Sequence, residues 1–87
     1  MSYFTYILRS KKTEHYYIGS CEDVNERLKR HNAGHVRSTK SRIPYALVYQ
    51  EEHQTRQDAY KREREIKRYK GGNAFKKLVQ SPYSGVV

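Results

Sequence analysis

The chain has 87 residues, so one small domain is expected, with little room for a separate regulatory unit. Its mean hydropathy is −1.08, and no apolar run approaches the ~20 residues of a membrane span, so the composition excludes a transmembrane protein. The chain carries 18 Lys and Arg against 9 Asp and Glu, a net charge of +9. This excess favours a nucleic-acid partner over the alternatives of general solubility or proximity to the ribosome.

The cysteine content and the N-terminal residues indicate the cellular compartment. Cys21 is the one cysteine of the sequence, which rules out a disulfide framework within one chain and disfavours a zinc site built on Cys. Residues 1–4 show no signal-peptide pattern. These features predict a cytoplasmic protein with a reduced thiol, and a monomer is the default expectation.

Two short runs of β-forming residues open the chain. They cover residue 3 to about 9 and about 15 to 20, and the polar residues 10–14 between them favour a turn. Folded as a hairpin, the two strands can place the phenols of Tyr6 and Tyr17 on one patch.

A helix is predicted next, from residue 24 to about 33. Asp23 has the side chain of a helix N-cap, and Gly34 is a favourable residue just after a helix end. Arg27 and His31 lie one helical turn apart on the border of the apolar stripe.

The second half of the chain alternates loop, strand and helix. Residues 34–43 read as a polar loop and residues 45–49 as a third strand. Thr55 begins a helix that runs to about Tyr69, where Gly71 and Gly72 break it. The remaining segments are a short helix over 74–79, capped by Asn73, and a loose tail over 81–87.

The order β-β-α-β-α-α predicts an α+β domain over residues 1–80, a small three-stranded sheet flanked by helices. In the long helix, Ala59, Glu63 and Ile66 recur at helical spacing, so a carboxylate occupies the stripe that should face the sheet. A buried carboxylate needs a partner. Mg²⁺ often takes only one or two protein oxygens, so one Glu can suffice, but periodicity alone favours a salt bridge to a nearby Arg or Lys.

The other candidate residues also have two readings each. Arg27 offers a planar fork of donors to a phosphate, but its spacing alone favours a solvated helix face. Tyr6 and Tyr17 can orient or deprotonate a water molecule, although a phenol with a pKa of ~10 is a weak base and Tyr is common in strands. His31 titrates near neutrality and suits proton transfer or a phosphate contact.

A basic, hydroxyl-rich loop and parts of both long helices suit contacts with phosphate oxygens, which position a nucleic acid without reading its sequence. The predicted nucleic-acid contacts are Arg30, Arg37, Thr39, Lys40, Ser41, Arg42 and Lys67.

Taken together, these residues resemble the GIY-YIG nuclease domain, in the small stand-alone bacterial form similar to the N-terminal domain of UvrC. The resemblance covers residues 3–79. Residues 17–19 read YIG, and Tyr6 stands at the usual distance for the first signature, although residues 4–6 read FTY instead of GIY. The helix of residues 26–32 and the helix bearing Glu63 follow in family order.

The resemblance implies a hydrolase that cuts a phosphodiester bond with one divalent ion, Mg²⁺ or Mn²⁺. Glu63 would hold the ion, Tyr6 would be the general base and Tyr17 would orient water or phosphate. Arg27 would steady the phosphoryl oxygens, and His31 would assist by hydrogen bonding or proton transfer. The implied substrate is DNA more than RNA, cut with weak or structure-based selectivity in repair or turnover.

A second hypothesis keeps the fold without efficient catalysis. Such a protein would be a binding module that recognises DNA or RNA by charge and shape. Salt weakens binding under either hypothesis, because phosphate contacts release counterions. Metal-dependent strand cleavage separates the two.

Overall fold

Strands and helices follow one another in the predicted order through the described part of the chain. The structure, a computed structural model, describes residues 2–69 and 72–80. Its elements are β1 (Tyr3–Ser10), β2 (Tyr16–Cys21), α1 (Val24–Asn32), a 3-10 helix (Lys40–Arg42), β3 (Tyr45–His53), α2 (Arg56–Lys67) and α3 (Asn73–Gln80). The α+β class is therefore confirmed. The predicted break at Gly71 and the tail 81–87 lie outside the described residues.

The central strand of the sheet is β1, in an antiparallel order β2-β1-β3. Side chains alternate along a strand, so neighbouring residues serve opposite faces. Tyr6 and Leu8 pack with α1 on one face, and Ile7 packs with α2 and α3 on the other. Within the described ranges, no helix has the length and apolar character needed to span a bilayer.

A bulge in β3 changes which face its side chains serve. Ile7 pairs with Tyr49 but Leu8 pairs with Leu47, so one residue of β3 is left over between them. Leu47 consequently packs on the α1 face, while Tyr49 belongs to the core beneath α2 and α3. Glu51, two residues after Tyr49, therefore points toward α2.

Helix starts were predicted well because capping signals are local. The Asp23 carboxylate accepts a hydrogen bond from the Glu26 backbone N–H at 3.0 Å, and the Thr55 hydroxyl accepts from the Asp58 N–H at 3.1 Å. Gly34 follows α1 with a φ of 79°, a left-handed conformation that glycine adopts readily.

Several boundaries differ from the sequence prediction. The third strand continues past residue 49 to His53, α2 ends at Lys67 rather than near Tyr69, and α3 begins at Asn73 rather than after it. The predicted polar loop also contains a 3-10 turn. The predicted strand ends too early because the second half of β3 is polar. Its carboxylate at Glu51 is satisfied by hydrogen bonds from the Tyr49 hydroxyl at 2.5 Å and Arg62 Nε at 2.7 Å.

Two tertiary contacts hold α2 on the sheet. The buried Thr5 hydroxyl donates to the Ala59 carbonyl at 2.7 Å, one helical turn before Glu63. Toward β3, the Arg62 guanidinium joins Glu51 at 2.7 Å and Glu65 at 2.6 Å. These contacts fix the helix that carries the candidate metal ligand.

Candidate active site

Three aromatic side chains meet on the α1 face of the sheet. The ring centroids of Tyr6 and Tyr17 lie 6.3 Å apart, and the Tyr17 and His31 centroids lie 4.6 Å apart. The Tyr6 hydroxyl is 3.4 Å from His31 Nε2. Tyr6 and His31 are both buried, whereas Tyr17 is half-buried and reaches the surface. The hairpin thus brings the two phenols together with a residue of α1.

The Tyr6 hydroxyl fits here because Gly19 faces it across the sheet. Tyr6 and Gly19 are paired residues of β1 and β2. A Cβ atom at Gly19 would lie 2.6 Å from the Tyr6 hydroxyl oxygen and 2.8 Å from its Cζ. The last residue of the YIG signature therefore provides the space in which the phenol sits.

Hydrogen bonds determine the tautomer of His31. The Thr39 hydroxyl donates to the Val36 carbonyl at 3.2 Å, so its oxygen is free to accept from His31 Nδ1, 2.9 Å away. With the proton on Nδ1, the lone pair of Nε2 faces the Tyr6 hydroxyl. His31 is consequently positioned to accept the phenol proton.

Burial shapes the titration of both groups. Burial raises the pKa of the Tyr6 phenol above its ordinary 10.0; Tyr17, Cys21 and Glu63 raise it further, whereas Arg27 lowers it. Burial also lowers the pKa of His31 below 6.5, with added repulsion from the charges of Arg27 and Arg30. At neutral pH the phenol therefore keeps its proton and the imidazole is neutral.

Glu63 faces the sheet, as the helical spacing predicted, but it lies on the face opposite to the two phenols, which it was expected to join on one patch. Its side chain is only 12% exposed. The Ser20 hydroxyl donates to Oε1 at 2.8 Å, and the Lys67 ammonium donates to Oε2 at 2.7 Å. Both oxygens of the carboxylate therefore have partners, one of them a cation.

The two faces meet at adjacent residues of β2. Gly19 abuts the Tyr6 hydroxyl, and Ser20, the next residue, holds Glu63. The negative charge of Glu63 acts on the Tyr6 phenol. The phenol pair and the imidazole thus lie on one side of this short segment of strand, and the carboxylate lies on the other.

Arg27 completes the group from the first half of α1. It is half-buried, and its positive charge acts on Tyr6, Cys21 and His31. The same side chain lines a cavity of about 220 Å³ that Ser20 also lines. Arg27 therefore stands beside both the phenol cluster and the segment that holds Glu63.

The predicted nucleic-acid contacts occupy different environments. Five of them are exposed, namely Arg30, Arg37, Lys40, Ser41 and Lys67. Arg42 is half-buried and its carbonyl accepts from the Ser10 hydroxyl at 2.5 Å, whereas Lys67 is exposed but paired with Glu63. Thr39 is 1% exposed, so its hydroxyl serves His31 instead of facing a phosphate.

Sequence reasoning missed three contributions to this site. Ser20 orients Glu63, Gly19 makes room for the phenol, and Thr39 sets the tautomer of His31. A glycine inside a strand is a signal of close approach by another group, and it could have identified Gly19. The two hydroxyls carry no such signal, since their partners lie far away in the sequence.

A single divalent ion suits the donors around Glu63. Within residues 2–69 and 72–80 there is no cluster of three or more His, Cys, Asp or Glu side chains able to hold a metal. Mg²⁺ and Mn²⁺ favour oxygen ligands and accept few from the protein. The Glu63 carboxylate and the adjacent Ser20 hydroxyl supply such oxygens, and a divalent ion at Oε2 would take the place of the Lys67 ammonium.

Comparisons with known proteins show which proteins this chain is similar to. The family model of the GIY-YIG catalytic domain matches residues 2–76. UPF0213 proteins of Staphylococcus aureus strains Mu3 and Mu50 are each 45% identical over 69 residues, 78% of this chain and 83% of theirs. The solution NMR structure of the UPF0213 protein BH0048 from Bacillus halodurans aligns with a TM-score of 0.56 and 28% identity, covering 93% of this chain and 89% of that one.

Proposed function

The chain belongs to the GIY-YIG catalytic domain family, and from that premise we propose that it is a metal-dependent endonuclease that hydrolyses phosphodiester bonds of nucleic acid. The observation that carries the proposal is the arrangement of these side chains around β2. The Tyr6 phenol, with His31 as a proton acceptor, lies against Gly19. The Glu63 carboxylate binds Ser20, and half-buried Arg27 lines the cavity that Ser20 also lines.

Proton transfer is the task of Tyr6 and His31. A phenol with a raised pKa is a poor base while it keeps its proton, but neutral His31 can take that proton at Nε2. Tyr6 can then accept a proton from the attacking water as its own proton passes to the imidazole. Thr39 keeps the imidazole in the tautomer that this transfer requires.

Charge and orientation are the tasks of the remaining residues. The Arg27 guanidinium donates to the phosphoryl oxygens, whose negative charge grows as the water attacks. Tyr17, which reaches the surface beside Tyr6, orients the water or the phosphate. Glu63, with Ser20 beside it, would hold one Mg²⁺ or Mn²⁺ ion, which when bound supplies Lewis-acid stabilisation of that charge.

The substrate follows from the charge distribution. A chain with a net charge of +9 attracts phosphates through exposed cations such as Arg30, Arg37 and Lys40. Contacts of this kind position a backbone without reading bases, so we expect weak sequence preference on DNA, with selectivity for shape. We propose that the protein acts in the cytoplasm as a monomer.

The function is tested by cleavage of plasmid, single-stranded and branched DNA and of RNA, each with Mg²⁺ and with EDTA. We expect cleavage of DNA that EDTA abolishes. Glu63→Gln and Arg27→Ala should stay folded and lose at least 100-fold of the cleavage rate. Glu65→Gln is the matched control, since Glu65 lies on the same helix, is exposed and pairs with Arg62. Wild-type rates in Glu63→Gln would contradict the assigned role.

One observation favours the alternative of a binding module with little catalysis. Lys67 already neutralises Glu63 at 2.7 Å and competes with a divalent ion for the same oxygen. Under this alternative the protein binds DNA or RNA in a salt-dependent manner, and neither Mg²⁺ nor Mn²⁺ at millimolar concentration produces strand breaks. The same cleavage assay decides between the two.

A further inference from the structure

A second arginine, Arg56, lines the cavity beside Arg27, and the proposed reaction does not use it. Residues of β1, β2, α1, α2 and the segment after β2 line its volume of about 220 Å³: Tyr3, Ser20, Cys21, Glu22, Arg27, Arg56 and Ala59. Arg27 comes from α1 and Arg56 is the first residue of α2. Two arginines therefore line one small cavity, and Glu22 is the carboxylate among its lining residues.

Arg56 is held by two weak contacts. Its guanidinium lies 5.7 Å from the centroid of the Tyr3 ring, and its Nη2 lies 3.6 Å from Glu22 Oε2. The Arg56 side chain is 76% exposed and that of Glu22 is 45% exposed. An ion pair this long and this solvated contributes little, so a stronger anion can displace the carboxylate at small cost.

We propose that this cavity is a phosphate site in which Arg56 acts together with Arg27, and that Glu22 occupies Arg56 until nucleic acid displaces it. A guanidinium presents two parallel N–H donors, which match the oxygens of a phosphodiester. Tyr3 stacks against Arg56 and limits the positions of that fork. The inference deepens the proposed nucleic-acid function and rests on it for the identity of the ligand.

The position of the cavity agrees with this role. Ser20 lines it and also donates to Glu63, and Arg27 lines it and acts on the Tyr6 phenol. A backbone phosphate bound between the two guanidinium groups would therefore lie next to the catalytic residues. Arg56 is therefore a positioning residue, and we expect its replacement to change the affinity for the substrate.

Binding of a fluorescent 12-nucleotide single strand, followed by anisotropy in EDTA over a range of salt, tests the proposal without any cleavage. Arg56→Ala should weaken binding about 5-fold or more at low salt and reduce the slope of log K against log salt by about 0.7, the value for one lost single-strand phosphate contact. Arg56→Lys, which keeps the charge but not the planar fork, should bind with intermediate affinity.

Glu22→Gln should strengthen binding about 2- to 5-fold, because it frees Arg56. The Arg9–Glu14 ion pair supplies matched controls, since it joins the same residue types on the surface at the other end of β1 and does not line this cavity. Arg9→Ala and Glu14→Gln measure what a change of one charge does anywhere on this protein. In the Arg56→Ala background, the gain from Glu22→Gln should fall to that of Glu14→Gln.

Two results would overturn the proposal. One is an Arg56→Ala protein, folded by its thermal midpoint, with the affinity and salt slope of Arg9→Ala. The other is a gain from Glu22→Gln that persists without Arg56. This assay does not measure cleavage, so a protein without nuclease activity could still give the expected binding result. An active nuclease whose binding does not depend on Arg56 would refute this inference and leave the proposed function standing.

Discussion

Replacing Gly19 by alanine tests the site at its narrowest point. The added Cβ would lie 2.8 Å from Tyr6 Cζ and 2.6 Å from the hydroxyl oxygen, whereas carbon atoms pack at about 3.5 Å or more. Tyr6 is 1% exposed, so its ring has no space into which it can retreat. The strand must therefore separate locally, or the phenol must leave its place beside His31.

The expected cost follows from two opposing terms. Overpacking of a core costs about 1–3 kcal/mol, while replacing glycine by alanine returns up to about 1 kcal/mol through the unfolded chain. We expect a net destabilisation of about 1–2 kcal/mol, measured by urea unfolding. Cleavage should fall by about 100-fold, since displacement of a reacting group by about 1 Å has effects of that order.

A double-mutant cycle isolates the contact. Tyr6→Phe removes the hydroxyl oxygen that makes the closest approach, so Gly19→Ala should cost at least about 0.5 kcal/mol less in that background. Gly72→Ala is a milder control, because its Cβ would meet the Tyr69 carbonyl oxygen at 3.2 Å. Equal costs in both backgrounds, or no loss of stability for Gly19→Ala, would refute the steric argument.

Three further predictions concern the hydrogen-bonded groups. Because the pKa of His31 is lowered from 6.5 in the folded state, its contribution to stability is complete above about pH 6.5 and is lost as the pH falls below that value. The urea midpoint should therefore drop more on acidification in the wild type than in His31→Gln. Equal drops in the two proteins would contradict the burial argument. Lys67→Met should tighten Mn²⁺ binding a few-fold, as measured by electron paramagnetic resonance, because it frees Glu63 Oε2; unchanged affinity would mean that the ion does not use this oxygen. Thr39→Val should cost about 1–3 kcal/mol through the unpaired Nδ1–H of His31, whereas Thr39→Ser should retain most of the stability; equal stabilities of the Val and Ser variants would rule out that hydrogen bond.

The sequence predicted the elements that depend on local signals. The caps at Asp23 and Thr55 and the glycine after α1 are short-range features, and each is confirmed. The end of β3 was predicted wrongly, because its polar residues are stabilised by α2, which a strand pattern does not reveal. The end of β3 depends on contacts such as the one between Glu51 and Arg62, which lie 11 residues apart in the sequence.

The candidate site divides in the same way. Helical spacing placed Glu63 toward the sheet, and its side chain is largely buried there. His31 was expected at the border of the apolar stripe, but it is completely buried, because Thr39 and Tyr6 satisfy both ring nitrogens. Those partners lie 8 and 25 residues away, so only the folded chain reveals the environment of the imidazole.

The departure from the family signature at Thr5 has a mechanical consequence. Its hydroxyl tethers the first turn of α2 to the strand that bears Tyr6, by a bond shielded from water. The turn of α2 that precedes Glu63 is therefore joined directly to the strand that bears Tyr6. The separation of the carboxylate and the phenol consequently depends on how α2 packs on β1.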